Sequence, residues 1–393
     1  MKLLRLPRSK VRLGEPLPWN IRDETTRLLL SRGHIVENEE MLEALLARGA
    51  FVDVEEARAA AHLENAAGAD AGVLSALKRP QNLFSLWDQS TEDLRKLLEK
   101  VPQTPLQPQR IAEFAAWLIE LVDKDVDVAV YHMVRQETAH LYYYGYNHCL
   151  HTAVLCLLMT RRLHWSPSRS LSLVQAALTM NLPILHLQGE MAEQDEPMRE
   201  SQKAQIRPHP QLAAQWLTDA GVTDADWLTA VIQHHEHVDG TGYPQGLTEV
   251  ADIAVALRVA DVFMAKISPR KLRAALPIQE AARQLFREDH GGALSTAVIK
   301  EFGIYPPGDL VRLASGEIGV VMRRTDSAKG PIVAALTDEH GHPTVHTVQR
   351  DTRQAAYAIT GGMEDKSLVA RLPPERVYGY TTLTPPAAPT TPA

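Results

Sequence analysis

The stretch His234-His235-Glu236-His237-Val238-Asp239-Gly240-Thr241-Gly242-Tyr243-Pro244 sets three imidazoles beside an unbroken run of turn formers. Asp239-Gly240 and Thr241-Gly242-Tyr243-Pro244 predict an exposed loop. Upstream, Thr223-x-x-Asp226 reads as a capping box ahead of Trp227, Val231 and Ile232, so the histidine doublet closes a helix. Histidines there have an ordinary reason, the negative pole of the helix dipole. They are also the residue type that holds zinc, iron or manganese.

Working outward, the pattern is helical almost throughout from about Ser90 to Phe302. Ser166-Pro167 supplies an N-cap and a proline at the first helical position, with Leu171, Val174 and Leu178 following on one face. From Thr138 to Thr160 the chain has no Asp, Glu, Lys or Arg, long enough to span a bilayer. It nevertheless holds Asn147, His148 and His151, costly in lipid, so a helix buried inside the protein is expected.

Both flanks differ from this centre. Residues 1–60 read as a small mixed module: a turn and short strand over Leu13–Trp19, a strand at Leu28–Leu30, and a helix through Met41, Leu42, Leu45 and Leu46 ending near Gly49. Residues 61–90, rich in Ala and Gly at the start, read as a linker. After Pro306-Pro307, the runs Leu310–Leu313 and Ile318–Met322 flank Ser315-Gly316 as a hairpin, and Ile332–Leu336 and Thr344–His346 continue a β-rich segment, 306–382. The Pro-rich tail 383–393 cannot bury a core. The expected fold class is therefore mainly α, a helical bundle over 91–305 between a small N-terminal α/β module and a short β-rich C-terminal appendage.

Bulk properties exclude several classes. A net charge of −7 over 393 residues gives no basic face for nucleic acid. The only cysteines, Cys149 and Cys156, fall seven apart on one helix and cannot bridge, which fits a reducing cytoplasm. Met1-Lys2-Leu3-Leu4-Arg5 has no continuous apolar core of the kind a secretory leader needs.

Five side chains stand out as possible metal ligands: His148 within the uncharged helix, His209, the doublet His234 and His235, and Asp261 in an otherwise apolar run broken only by Arg258. Singly, each has a plain alternative, since buried histidines are commonly satisfied by backbone and a lone intrahelical aspartate by an ion pair.

Together these residues resemble the HD-GYP family, over roughly Tyr131 to Leu313. The opening stretch resembles its HHExxDGxGYP signature, Tyr146-Asn147-His148-Cys149 its first histidine helix, and Arg207-Pro208-His209-Pro210 its His-Pro element. Val259-Ala260-Asp261-Val262-Phe263 resembles its VADVYDA helix, followed by the basic Arg270 and Arg273. The resemblance implies a helical HD-type domain, two or three metal ions, hydrolysis of cyclic-di-GMP, and phosphate-facing roles for Arg270 and Arg273. It also implies docking of diguanylate-cyclase (GGDEF) domains through a loop made here by Asp239, Gly240, Gly242, Tyr243 and Pro244, with Tyr243 exposed.

The departure lies at the centre of the motif set. Where the family reads LLHDIGK, this chain reads Leu178-Thr179-Met180-Asn181-Leu182-Pro183-Ile184. Two dications about 3.5–4 Å apart need an anionic bridge. Asn181 is neutral, Met180 offers only a soft thioether, and Ile184 removes a cation. The expectation is a catalytically impaired cyclic-di-GMP signalling protein keeping one divalent ion (Fe, Mn or Zn) on His209, His234 and His235. His148 and Asp261 then form an incomplete second set, which His186 and Glu190 could complete only if the loop slipped. An active phosphodiesterase with a mononuclear or rearranged site is the alternative.

Overall fold

A computed structural model of the chain describes residues 3–6, most positions between 11 and 53, residues 83–363 except 102 and 137–140, and residues 374–378. Two units emerge, Met1–Pro80 and Gln81–Ala393. The Ala/Gly-rich run 59–72 and the tail 383–393 lie outside the described residues.

In the first unit, strands β1 (Leu3–Arg5), β2 (Ile21–Arg22) and β3 (Leu28–Leu30), helix α1 (Glu39–Ala47) and strand β4 (Phe51–Asp53) build an antiparallel sheet of order β1-β4-β2-β3. Its core gathers Trp19, Ile21, Val36, Leu42 and Val52. Leu13 and Gly14 form the expected turn, Leu17 and Trp19 are not in a strand, and strands β1, β2 and β4 are additions to the sequence reading, each three residues or fewer. Strands this short leave too little alternation to detect.

The second unit opens with α2 (Leu83–Leu98), so residues 83–90 are helix where a linker was expected. Phe84, Trp87, Leu94 and Leu98 recur at helical spacing and are all buried. Then follow α3 (Pro108–Lys124), α4 (Val126–Val134), α5 (Tyr144–Arg162), α6 (Pro167–Thr179), α7 (Leu185–Glu193), α8 (Glu200–Ile206), α9 (His209–Asp219), α10 (Ala225–Gln233), α11 (Asp252–Ile267), α12 (Ile278–Glu288) and α13 (Ala293–Phe302). Helix α5 is the uncharged helix of the sequence, packed against α6, α11, α7, α2 and α13 and buried over nearly its whole length. The stretch Pro167–Glu193 also has the length and apolarity to cross a membrane, yet 78% of its most apolar window is buried within the protein.

Caps set the helix starts. Ser166 accepts from Arg169 N at 3.3 Å as its sequence position implies. For α10 the cap is Asp224, not Thr223. Its carboxylate accepts from Trp227 N at 3.0 Å and from the Ser172 hydroxyl at 2.7 Å, so the side chain that starts the helix also ties it to α6. Trp227 then donates its indole N–H to Thr179 at 2.8 Å, directly before Met180.

The C-terminal strands β5 (Leu310–Leu313), β6 (Ile318–Arg323), β7 (Ile332–Thr337), β8 (Pro343–Asp351) and β9 (Ile359–Gly362) form an antiparallel sheet of order β8-β7-β6-β5-β9. One face carries Leu310, Val320, Met322, Ala334 and Leu336 into the helical core. The other covers Val311, Leu313, Val321 and Val333 with Tyr305 and Tyr357. Arg323 and Arg324 pin β6 to Asp125 and Asp127 at the start of α4, at 2.8 and 2.5 Å. A last turn, α14 (Pro374–Val377), brings Tyr378 between Phe84 and Tyr131.

A second histidine pair lies in the bundle, His151 Nε2 facing His132 Nδ1 at 3.0 Å, with Trp87 stacked on His132. Burial lowers both pKa values, more securely at His151 (2% exposed) than at His132, which keeps 20% of its side-chain surface. An unfolded chain takes up these protons near pH 6.5 while the folded chain refuses them, so stability falls as pH drops below that value, by up to roughly 1.4 kcal/mol per pH unit for each imidazole. Thermal unfolding across pH 7 to 4 is expected to show this acid loss with a shallower slope in His151→Leu. An unchanged slope would remove His151 from the account.

Candidate metal centre

Two helix junctions build the site. His209 is the first residue of α9, after Pro208, and His234 follows the last turn of α10. Each turns its imidazole back onto its own chain: His209 Nδ1 meets Ile206 O at 2.6 Å, and His234 Nδ1 meets Val231 O at 2.7 Å. A carbonyl oxygen can only accept, so both Nδ1 atoms carry the proton and both Nε2 atoms present a lone pair. Those Nε2 atoms face each other 3.2 Å apart, fully buried. Burial pushes the His209 pKa down to about 3 and lowers that of His234, so neither takes a proton to relieve the opposition at neutral pH. His235 completes the group, all three offering ligand atoms within 4.8 Å of one another. Neutral imidazoles whose second nitrogen donates to a carbonyl are the usual form of histidine around a transition metal. The donor set suits such an ion.

The remaining expected ligands do not join this cluster. His148 Nε2 bonds Asp261 Oδ1 at 2.6 Å, α5 to α11. Burial opposes the charge of Asp261, but His148 outweighs it and holds the carboxyl well below the usual range. The Asp261 charge is also felt at His234 and His235. Tyr144 lies parallel to His148, with ring centroids 5.6 Å apart, and its hydroxyl accepts from Arg270 at 2.7 Å. Arg270 thus faces Tyr144, and Arg273 donates to the backbone of Ala265. His186 and Glu190 sit on exposed positions of α7, His186 against the Tyr142 hydroxyl at 3.4 Å.

The departing residues belong to packing. Met180 is fully buried in the hydrophobic core at the end of α6. Asn181 lies beside the Cys149 thiol, whose pKa burial pushes up to about 12. Ile184 is buried in the turn before α7.

The loop is bound to the cluster. Tyr243 is half-buried rather than exposed because its ring stacks on His235, centroids 4.6 Å apart. Tyr243 N donates to His235 O at 3.1 Å. A Cβ on Gly242 would collide with the backbone of His235, Glu236 and His237, so only glycine fits. Asp239 accepts from Thr241 N at 3.0 Å, and Gly240 takes a φ of +76°. Glu236 was not singled out in the sequence, yet its buried carboxylate accepts from Gln245 N at 2.6 Å and Leu247 N at 2.9 Å. A carboxylate inside a run of turn residues was the available signal.

The helical part of the chain has relatives among known proteins. The HD domain family matches residues 128–291. The chain is 31% identical over 206 residues to a cyclic di-GMP phosphodiesterase of Pseudomonas aeruginosa, covering 50% of this chain and 48% of that protein. It is 30% identical over 142 residues to a 3'3'-cGAMP-specific phosphodiesterase of Vibrio cholerae, covering 35% and 30%. The chain thus spans about half the length of the first relative and less of the second. A solved HDG"Y"P protein of Bdellovibrio bacteriovorus, 18% identical, overlays with a TM-score of 0.48 across 76% of this chain and 98% of that one. The chain thus resembles HD-domain proteins over residues 128–291. Over that stretch, the signature string and the cyclic-di-GMP phosphodiesterase relatives make the chain similar to the HD-GYP family.

Titration with Zn(II) is expected to find one ion per chain. His234→Ala should weaken it by more than the roughly 10–100-fold that loss of an outer-shell partner costs, while His148→Ala retains it. Because burial keeps these imidazoles neutral, affinity should change little between pH 7.5 and 5.5. Loss of the ion in His148→Ala would mean that the two halves form one ligand set.

Proposed function

We propose that this chain is a cyclic-di-GMP signalling protein whose HD-GYP domain is catalytically impaired and acts by binding the dinucleotide or a protein. The carrying observation is the split site: three histidines converge, while Asn181 is turned to Cys149, Met180 is in the core and His148 is closed on Asp261. A binuclear hydrolytic centre activates a hydroxide between two ions and polarises the phosphoryl group. Without an anionic oxygen at position 181, the repulsion between two dications loses its compensation. One divalent ion (Fe, Mn or Zn) on His209, His234 and His235 remains chemically reasonable. Its chemistry would be that of a Lewis acid, and for Arg270 and Arg273 to face phosphate they would have to leave the Tyr144 hydroxyl and the Ala265 carbonyl. The loop Asp239–Pro244 is the surface for a GGDEF-domain partner, and the two unpaired buried thiols suit a cytoplasmic setting.

A second reading, an active phosphodiesterase using a mononuclear or rearranged site, draws on the preset imidazoles and on the phosphodiesterase relatives.

Metal analysis with a cyclic-di-GMP turnover assay separates them. The impaired protein is expected to hold at most one ion and leave the dinucleotide intact. Met180→His with Asn181→Asp should add a second ion and some turnover, although an imidazole in the core at 180 costs about 1–3 kcal/mol of stability. Two ions with brisk turnover in the unmodified chain would reject the impaired reading.

A further inference from the structure

We propose that metal occupancy at His209, His234 and His235 sets the order of the loop 237–247, with Tyr243 and Glu236 as the positioning residues that couple the two. The inference rests on reading the three histidines as a metal site, and adds that the site controls a surface.

The loop has little of its own to hold it. His237, Val238, Asp239, Thr241, Gln245 and Gly246 are exposed. Three of its bonds instead run back to the two residues that follow His234: Tyr243 N to the carbonyl of His235, and the amides of Gln245 and Leu247 to the carboxylate of Glu236. Gly242 presses its backbone against the same segment. The ring of His235 stacks on the phenol of Tyr243 and also touches the ring of His234, centroids 4.1 Å apart. Whatever fixes the plane of His235 therefore fixes the seat of Tyr243.

Without a cation, the facing lone pairs of His209 and His234 at 3.2 Å repel, and among the described residues ring contacts alone, with no hydrogen bond, hold the imidazole of His235. A shared cation converts repulsion into attraction and locks all three rings. Segments with few buried apolar contacts open locally at low cost, so the loop is where such a change is read out. Linkage makes the effect reciprocal: if the ion orders the loop, the ordered loop strengthens ion binding by the same factor.

The test uses the full chain. Hydrogen exchange of amides 239–247 is measured with and without Zn(II), and Zn(II) affinity is measured by chelator competition for the unmodified chain, Tyr243→Ala and Tyr243→Phe. Zn(II) should raise protection across the loop. Tyr243→Ala should lose about threefold to tenfold in affinity, the scale of one aromatic stack, while Tyr243→Phe, which keeps the ring, stays within about twofold. Should Tyr243→Ala fail to fold by circular dichroism, the exchange comparison on the unmodified chain decides alone. Zn(II) binding with unchanged loop protection, or equal affinity in a folded Tyr243→Ala, overturns the coupling and leaves the metal site standing. Failure of the unmodified chain to bind Zn(II) overturns the metal site and the coupling with it.

Discussion

Helix α5 is enclosed by its neighbours, so the partners its polar side chains do find lie inside the protein. Those pairings organise the bundle. His148 draws the Asp261 carboxylate of α11 onto it, and His151 draws His132 of α4. Asn147 accepts from Thr91 of α2 at 2.6 Å, and Cys149 meets Asn181 beyond the end of α6. Four neighbouring elements are thus positioned by polar contacts from one five-residue span, while leucines and valines of the same helix fill the space between them. Tyr146 Oη, His148 Nδ1, His151 Nδ1 and Thr152 Oγ1 are buried without a hydrogen bond among the described residues, so the pairings that do form carry the polar side of this helix.

The candidate site inherits two different kinds of support. His209 and His234 are held by the carbonyls three residues before them, a local device that needs only the helix junctions to form. His148, Asp261, Met180 and Asn181 depend on long-range packing between α5, α6 and α11. The local half keeps a ligand-ready shape. The long-range half closes on itself, which is how a core behaves when its polar members pair and a thioether fills the remaining volume.

The helical character, the apolar centre, the Ser166 cap and the hairpin about Ser315-Gly316 were all legible in the sequence, because each rests on spacing or turn chemistry within a few residues. The histidine cluster was legible only as a joint pattern, since a single imidazole reads equally well as a core residue. What escaped depends on tertiary context. Asp224 takes the cap because it also reaches Ser172, and Tyr243 is covered because His235 lies beneath it. Arg270 is spent on Tyr144, 126 residues away in the chain, a pairing that no local pattern marks. The strand-rich segment was readable as strands, but not as part of the main core, because strand periodicity does not say what a face will meet.

That last feature bears on where the independent part of the molecule ends. The HD family match stops at residue 291, well short of β5. Leu310, Val320, Met322 and Ala334 nonetheless share one apolar interior with the helices, and Arg324 grips both Asp127 and the backbone of Glu301. A fragment cut at the family boundary would present a freshly stripped oily surface to water. The evolutionary module and the cooperative folding unit are different lengths of the same chain.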